Sequence, residues 1–286
     1  MANTLQLKRR IKTAQNVSKT TRAMQMIAAS KMKRAQNSLL SGRPYIDKLS
    51  VLIREMSKKI DRESDNPYFN KRDSQKTLLL VFSPDKGLCG GLISNLIKEY
   101  FSIHAKDDYV FLTVGKKMER NIARLGKELV ASFPFGNTIP SYDMVFPITN
   151  IINDYYLGEK VGSVSILTTS FKTIFIQKPS LIPLLPITIG EQIEEQEKNL
   201  KNPYQLFEPD INTILPILIK RYLETSIYHY LLEAYVAEQS ARMIAMQNAT
   251  DNAKDIIEEL TLEYNKERQQ KITREILDLS GAFLSV

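Results

Sequence analysis

The sequence holds few of the residues that build reactive or cross-linked sites. Among its 286 residues there are one cysteine, two histidines and no tryptophan. A single cysteine, Cys89, excludes an intrachain disulfide and a cysteine-rich zinc or iron–sulfur site. The histidines, His104 and His229, lie far apart in the sequence, so a histidine-built metal site is not expected. We therefore expect no metal and no cofactor.

Long apolar runs are missing as well. No apolar stretch approaches the roughly 18 residues that a transmembrane helix needs. The basic N-terminal segment has no contiguous apolar stretch and no small-residue cleavage site, so a secretory signal is not expected. With 43% hydrophobic and 25% charged residues, the composition is that of an ordinary globular protein and excludes wholesale disorder.

Acidic residues are absent from the first 46 positions, which carry ten basic residues. The remainder of the chain holds 29 basic and 32 acidic residues, so the overall net charge of +7 arises from one segment. A block of like charge indicates an anionic partner or a solvated tail. The tail is excluded because the same segment shows helical periodicity.

Residues 1–41 contain no glycine or proline, and small or apolar residues recur at steps of three and four. Gly42 and Pro44 interrupt this pattern, but apolar spacing resumes after them, so we predict one long helix with an irregularity near residues 43–45 that ends before Asn66. The predicted seam positions are Leu7, Ile11, Ala14, Val17, Thr21, Met24, Ala28, Met32, Ala35 and Leu39.

Residues 217–280 also lack glycine and proline and predict a single helix of roughly 95 Å. So long a helix needs a partner along its length, and the N-terminal helix is the one other segment of comparable length. We predict an antiparallel coiled coil with a small-residue seam. Its members are Leu231, Ala234, Ala237, Ala241, Ala245 and Ala249, facing Ala23, Ala28, Ala29 and Ala35.

Between the helices, short apolar runs alternate with helical stretches, which predicts an open Rossmann-like α/β sheet. The chain thus divides into an N-terminal coiled-coil helix (1–60), a central α/β domain (61–205) and a long C-terminal coiled-coil helix (206–286). Residues 190–201 are acidic and polar and predict a surface loop. The predicted strands are 77–83, 109–114, 129–133, 163–168 and a proline-containing edge strand at 175–185, and the predicted helices are 92–101, one through Ile122 and Leu125, and 141–157.

The loop Gly87-Leu88-Cys89-Gly90-Gly91 follows the first strand and opens a helix, where phosphate-binding loops are found. It matches neither the P-loop pattern nor the dinucleotide fingerprint. A tight turn and a nucleotide site are both compatible with it. Cys89 is either a small buried thiol or a nucleophile at a helix N-terminus.

Three classes of function are compatible with these patterns. The basic helix could pack against acidic protein surfaces, or it could bind nucleic acid. No aromatic residue precedes Tyr45, however, so the stacking platforms of many single-strand binders are missing. The third class is an enzyme whose site lies near Cys89.

Both ends of the chain resemble the gamma subunit of bacterial F-type ATP synthases, the central rotor stalk. The resemblance rests on the motifs IKTAQN (11–16), TRAMQMIAASKM (21–32), RPY (43–45), DKGLCGGL (85–92), FEPD (207–210), EQSARMIAM (238–246), ATDN (249–252), YNKERQ (264–269) and ITRE (272–275). It covers the whole chain, although residues 100–200 match in pattern alone.

The resemblance implies a non-catalytic shaft that couples proton-driven rotation to ATP synthesis or hydrolysis. It implies the alpha and beta subunits of the head, the epsilon subunit and the membrane ring of c subunits as partners, and no nucleic acid. The chain would be peripheral at the cytoplasmic face of the bacterial inner membrane, associated with the membrane through the complex alone. With no catalytic residue of its own, it would transmit force to the subunits that carry the chemistry.

The resemblance also implies residue roles. Arg268, Gln269 and Thr273 would contact a catch loop on a catalytic subunit, and Phe207 and Glu208 would lie at the foot, near the rotor ring. The coupling region at the acidic lever loops would contain Met24, Lys31, Lys33, Arg242 and Met246, with Arg34 adding to the attraction. Plain coiled-coil packing is the alternative for Met24 and Met246, and a solvated helix face is the alternative for Arg268.

Overall fold

The computed structural model describes residues 2–59, 67–69, 72, 74–103, 108–187, 208 and 210–283. These residues form two long helices, three shorter helices, one 3-10 turn and five strands. In chain order they are α1 (Ala2–Lys59), β1 (Thr77–Phe82), α2 (Leu92–Ile103), β2 (Tyr109–Val114), α3 (Lys116–Arg124), β3 (Leu129–Phe133), the 3-10 turn (Tyr142–Met144), α4 (Val145–Leu157), β4 (Ser163–Phe171), β5 (Gln177–Leu185) and α5 (Ile211–Phe283).

The chain divides into two compact units, and α1 and α5 supply residues to both. The first unit consists of residues 1–30 and 242–286, and the second of residues 31–241. In the described part of the chain, no helix is long and apolar enough to cross a membrane. The predicted acidic loop at 190–201 lies outside the described residues, and the division into three sequence domains stays a prediction.

The second unit is built on a five-stranded sheet in the order β3-β2-β1-β4-β5. The first four strands are parallel and β5 is antiparallel to β4. Pro179 and Pro183 lie in β5, which pairs along one side with β4, so these residues without an N–H are accommodated at the edge of the sheet. The prediction of an α/β sheet with a proline-containing edge strand is confirmed.

One face of the sheet packs against α2 and α3. Leu79 and Phe111 point from neighbouring strands into a cluster with Leu96 of α2 and Met118 of α3, and all four are at most 1% exposed. The alternate residues Leu78, Leu80 and Val110 are also buried. A sheet that is buried on both faces explains why its strands read as continuous apolar runs rather than as an alternating pattern.

The first unit is an antiparallel pair of helices. The hydroxyl groups of Thr21 in α1 and Thr250 in α5 form a hydrogen bond, with 2.7 Å between the two oxygens. Residues 6–17 of α1 line a groove together with residues 253–260 of α5, so the two segments run in opposite directions. Leu7, Ala28 and Leu260 are buried in this unit. The predicted pairing of the terminal helices is confirmed.

Residues 2–59 form one helix that contains Pro44, so the predicted long N-terminal helix is confirmed and continues through residues 43–45. Two details of the helix predictions are wrong. α5 begins at Ile211 rather than 217 and contains Pro216 in its second turn. Val17, Ala23 and Met24, predicted in the seam, are exposed, because the helix contact covers fewer residues than the full stripe of apolar and small residues.

Candidate partner-binding surfaces

The first unit presents a basic surface on α1. Its basic residues are all exposed, and none has an ion pair with any described residue: Lys8, Arg9, Arg10, Lys12, Lys19 and Arg22. The described ion pairs of α5 in this unit join neighbours on the same helix, Lys254 to Asp251 and Lys271 to Glu275. Among the described residues, the cations of α1 therefore have no ion-pair partner on α5, which leaves their charge available to another molecule.

A groove of about 410 Å³ runs along this helix pair. Arg9 and Arg10 lie along it, and Ala14, Ala253 and Leu260 belong to its apolar lining. Apolar side chains are exposed elsewhere in the same unit, including Met26 at 62% and Leu262 at 73%. A surface that combines unpaired cations with exposed apolar side chains is suited to a protein partner.

The three residues predicted to contact a catch loop lie together on α5. Arg268, Gln269 and Thr273 are all exposed, and the Thr273 hydroxyl donates a hydrogen bond to the Gln269 carbonyl oxygen at 3.0 Å, one helical turn away. In the described part of the chain, Arg268 forms no ion pair. The side chains are accessible, as a contact requires, and their role stays a prediction.

The predicted coupling residues of the first unit differ in accessibility. Met24 is 39% exposed, whereas Met246 is 5% exposed and therefore packs inside the helix pair. Arg242 is half-buried and has a partner within the chain. Met24 is thus the most accessible of the three.

In the second unit, the Lys31 ammonium donates a 2.6 Å hydrogen bond to the carbonyl oxygen of Asn137, which also accepts from the Tyr235 hydroxyl at 3.3 Å. Lys31 therefore anchors the loop after β3, while Lys33 is exposed. Of the two predicted foot residues, Glu208 is exposed and Phe207 lies outside the described residues. None of these roles is tested by the geometry, and they stay predictions.

The loop after β1 is organised by Asp85. Its carboxylate accepts hydrogen bonds from the backbone N–H groups of Lys116 at 2.9 Å, Gly136 at 2.9 Å and Phe135 at 3.3 Å. A carboxylate thus caps the start of α3, where an anionic ligand would otherwise find free N–H groups. Gly90 has a φ of 57°, so the turn does need a glycine dihedral there. The tight-turn interpretation accounts for this loop.

Cys89 is buried, 1% exposed, and packs against Leu92 of α2 and against Ala237 and Ala241 of α5. The structure thus places the thiol between the loop and α5, as a small apolar residue would be placed. In the described part of the chain, no group of three histidine, cysteine, aspartate or glutamate side chains could hold a metal ion.

Sequence reasoning missed two polar residues of α5 that bind the β4–β5 hairpin. The Glu233 carboxylate accepts a hydrogen bond from the Phe171 N–H at 3.0 Å, and the Ser240 hydroxyl donates to the Ile174 carbonyl oxygen at 2.7 Å. Both occupy a largely apolar stretch of α5, and this interruption of the apolar pattern is the signal that could have found them.

The environment of Glu233 is electrostatically unusual. Burial raises the pKa of Glu233, while the Phe171 N–H, Lys172 and Arg43 each oppose that shift. One helical turn earlier, burial and Arg43 lower the pKa of His229, and Asp47 opposes this. Both residues are thus biased toward their neutral forms, which is consistent with a structural role between α5, α1 and the hairpin.

Comparison with known proteins is consistent across the chain. A family profile described as ATP synthase matches residues 3–286. The ATP synthase gamma chain of Dehalococcoides mccartyi strain ATCC BAA-2266 is 41% identical over 284 residues, 98% of each chain. The ATP synthase gamma chain of Opitutus terrae is 33% identical over 292 residues, 99% of this chain and 98% of that one.

Two solved structures share the fold. The central stalk of the Tetrahymena thermophila mitochondrial ATP synthase has a TM-score of 0.60 at 24% identity, covering 80% of this chain and 99% of that one. The rotor of the Euglena gracilis mitochondrial ATP synthase has a TM-score of 0.66 at 14% identity, covering 95% and 99%. At these identities the likeness supports the fold alone, and the family follows from the sequence relatives. The chain belongs to the ATP synthase gamma chain family.

Proposed function

We propose that this chain is the non-catalytic rotor shaft of an F-type ATP synthase. It couples proton-driven rotation of the membrane ring to conformational cycling of the catalytic subunits, in synthesis or in hydrolysis of ATP. The observation that carries the proposal is the identity of 41% to an ATP synthase gamma chain over 98% of both chains. Family membership gives no support to the nucleic-acid alternative.

The surface of the first unit supports this role. A shaft that turns inside a ring of other subunits needs contacts that form and break, and a mixture of exposed apolar and charged groups provides them. The unpaired cations of α1 suit acidic surfaces on the alpha and beta subunits. Arg268, Gln269 and Thr273 of α5 are the proposed contacts to the catch loop, and Met24, Lys31, Lys33, Arg242 and Met246 form the proposed coupling region.

The remaining partners follow from the family. The epsilon subunit and the c ring would bind the second unit and the foot near Phe207 and Glu208. This arrangement would hold the chain at the cytoplasmic face of the bacterial inner membrane through the complex. No residue of this chain is required to touch ATP.

Reconstitution with the alpha and beta subunits tests the proposal. The chain alone should hydrolyse no ATP, and adding it to those subunits should yield a stable complex with rotation-coupled hydrolysis. Arg268→Leu should lower assembly yield or coupling without changing the melting temperature of the free chain. Arg274→Leu, an exposed arginine about 120° around the same helix, is the matched control. If the wild-type chain fails to co-assemble, the proposal is wrong.

A further inference from the structure

The turn between β4 and β5 displays three consecutive large apolar side chains. Ile174 is 39% exposed, Phe175 is 78% exposed and Ile176 is 48% exposed. Phe175 is the most exposed large apolar side chain in the described part of the chain. Single exposed apolar residues are common on protein surfaces, but a contiguous group of this kind marks an interaction site.

The backbone of this turn is fixed by hydrogen bonds. The N–H groups of Lys172 and Thr173 donate to the Ile176 carbonyl oxygen at 3.2 Å, and the Ile176 N–H donates back to the Thr173 carbonyl oxygen at 3.2 Å. The Gln177 side-chain amide donates to the Ile174 carbonyl oxygen at 2.6 Å. The turn is therefore ordered before any partner arrives.

α5 holds the same turn at two points. The Ser240 hydroxyl donates to the Ile174 carbonyl oxygen, and the Glu233 carboxylate accepts from the Phe171 N–H. These residues are seven apart, so the contacts lie two turns along one face of the helix. Preorganisation of this kind lowers the entropy lost on binding and is typical of an anchor residue at an interface.

The charge around the turn favours an acidic partner. Lys172 and Lys178 flank the apolar residues, both are exposed, and neither forms an ion pair with a described residue. Glu233 faces Lys172, but its carboxylate is engaged with the Phe171 N–H and is largely buried. Among the residues that the structure describes, the accessible charge beside the turn is positive, which suits carboxylates on another molecule.

We propose that residues 172–178, the apolar turn, dock into an apolar depression edged by carboxylates on a subunit of the ATP synthase head. The inference rests on the proposed function. The head is favoured because Ser240, which fixes the turn, is two residues from Arg242 in the proposed coupling region. A lipid surface is less suited, because three apolar side chains on a rigid turn form a much smaller anchor than the extended apolar face of an interfacial helix.

Site-specific photo-cross-linking in the assembled, membrane-bound complex tests this inference. A benzophenone side chain at position 175 should give a covalent adduct with an alpha or beta subunit. The matched control carries the same group at Phe101, which is 54% exposed on α2. The adduct at 175 should fall roughly tenfold in the Lys172→Glu, Lys178→Glu double variant, and less in the corresponding double glutamine variant.

Several outcomes would overturn the inference. The first is that position 175 gives no adduct, or gives adducts with lipid or ring subunits alone. The second is that the control at Phe101 gives an adduct with the same subunit and the same charge dependence. The third is that charge reversal leaves the adduct at position 175 unchanged. Co-purification of the wild-type chain with the head is measured in parallel. If it fails, the proposed function is wrong, and if it succeeds without the adduct at 175, this inference alone is wrong. An unchanged melting temperature of the Phe175→Ser variant shows that the Phe175 side chain is not needed for folding.

Discussion

The two units of this chain solve the problem of burying apolar surface in different ways. In the second unit, Leu80, Phe111, Ile152 and Tyr235 are 0% exposed, and the sheet is buried on both faces. In the first unit a few residues such as Leu7 and Ala253 are buried, whereas Met26 and Leu262 are mostly exposed. The second unit buries a large core and exposes apolar side chains at particular sites such as the β4–β5 turn, whereas the first unit has a small core and leaves much of its apolar surface for other molecules to cover.

The polar contacts of the two units differ in the same direction. In the second unit, side chains such as Asp85, Glu233 and Ser240 connect separate elements through backbone groups. In the described part of the first unit, the Thr21–Thr250 contact joins the two helices, and the described ion pairs stay within one helix. The first unit is thus a thin pair of helices whose charged groups face outward, as a shaft surrounded by partners requires.

The largest expected effect comes from truncating the core of the second unit. Phe111→Ala removes a ring that is 0% exposed and lies 5.6 Å from the Tyr100 ring, and it should lower the free energy of unfolding by about 3–5 kcal/mol. Leu260→Ala in the helix pair should cost less, roughly 2 kcal/mol, because the thin pair can collapse around the gap. Urea unfolding of both variants measures the difference. Equal losses would contradict the contrast between the units.

A smaller effect is expected from the turn that supports α3. Asp85→Ala removes the acceptor of three backbone N–H groups and should cost roughly 2 kcal/mol, because hydrogen bonds to a charged acceptor are stronger than neutral ones. Asp143→Ala, at an exposed aspartate of the 3-10 turn, is the control and should be nearly neutral. The melting temperatures of the two variants decide the point, and a neutral Asp85→Ala would contradict the capping role.

The contact between the two helices of the first unit should be weaker still. Thr21→Val and Thr250→Val remove the two hydroxyls that meet at 2.7 Å. A double-mutant cycle should give a coupling energy of about 1 kcal/mol, as for a typical neutral hydrogen bond. Thr250 also donates to the Met246 carbonyl oxygen at 2.8 Å, so the cycle is needed to isolate the pair. Additive effects of the two substitutions would show that the hydroxyls do not interact.

Much of this contrast could be predicted from the sequence. The glycine- and proline-free stretches predicted the two long helices, and the apolar runs predicted the strands of the sheet. An irregularity was expected near Pro44, because proline lacks an N–H and disfavours a helix interior, yet α1 runs without a break from Ala2 to Lys59. Local preference decides short elements, whereas tertiary contacts decide the ends and interruptions of long ones.

Side-chain partners were harder to predict than elements. Asp85 was identified within a motif, but its three N–H partners belong to segments 31 to 51 residues away along the chain. Glu233 and Ser240 were missed because their partners, Phe171 and Ile174, come close through the β4–β5 pairing and the path of α5. The exposure of Phe175 was not foreseen either, since the sequence placed it at the start of a strand. In the structure the first residues of that apolar run belong to the turn before β5.

The smallest expected effect is a change in stability with pH that arises from the buried Glu233 carboxylate of the second unit. In the described part of the first unit there is no comparable buried carboxylate. Burial raises the pKa of Glu233 above its ordinary value of 4.5, so the folded chain holds this proton more tightly than the unfolded chain does. As pH rises from 4.5 through the folded pKa, the unfolded state releases the proton first and the free energy of unfolding falls.

Glu233→Gln removes this loss while keeping an acceptor for the Phe171 N–H. The variant should match the wild type below pH 4.5 and become more stable than it above the folded pKa of Glu233. His229 titrates nearby with a lowered pKa, so its own contribution is lost as pH falls through 6.5, in the opposite sense. Measuring both proteins in a His229→Gln background between about pH 4 and pH 8 isolates the carboxylate. A glutamine variant that is less stable at neutral pH would show that the bond from the Phe171 N–H to the ionised carboxylate outweighs the cost of its burial.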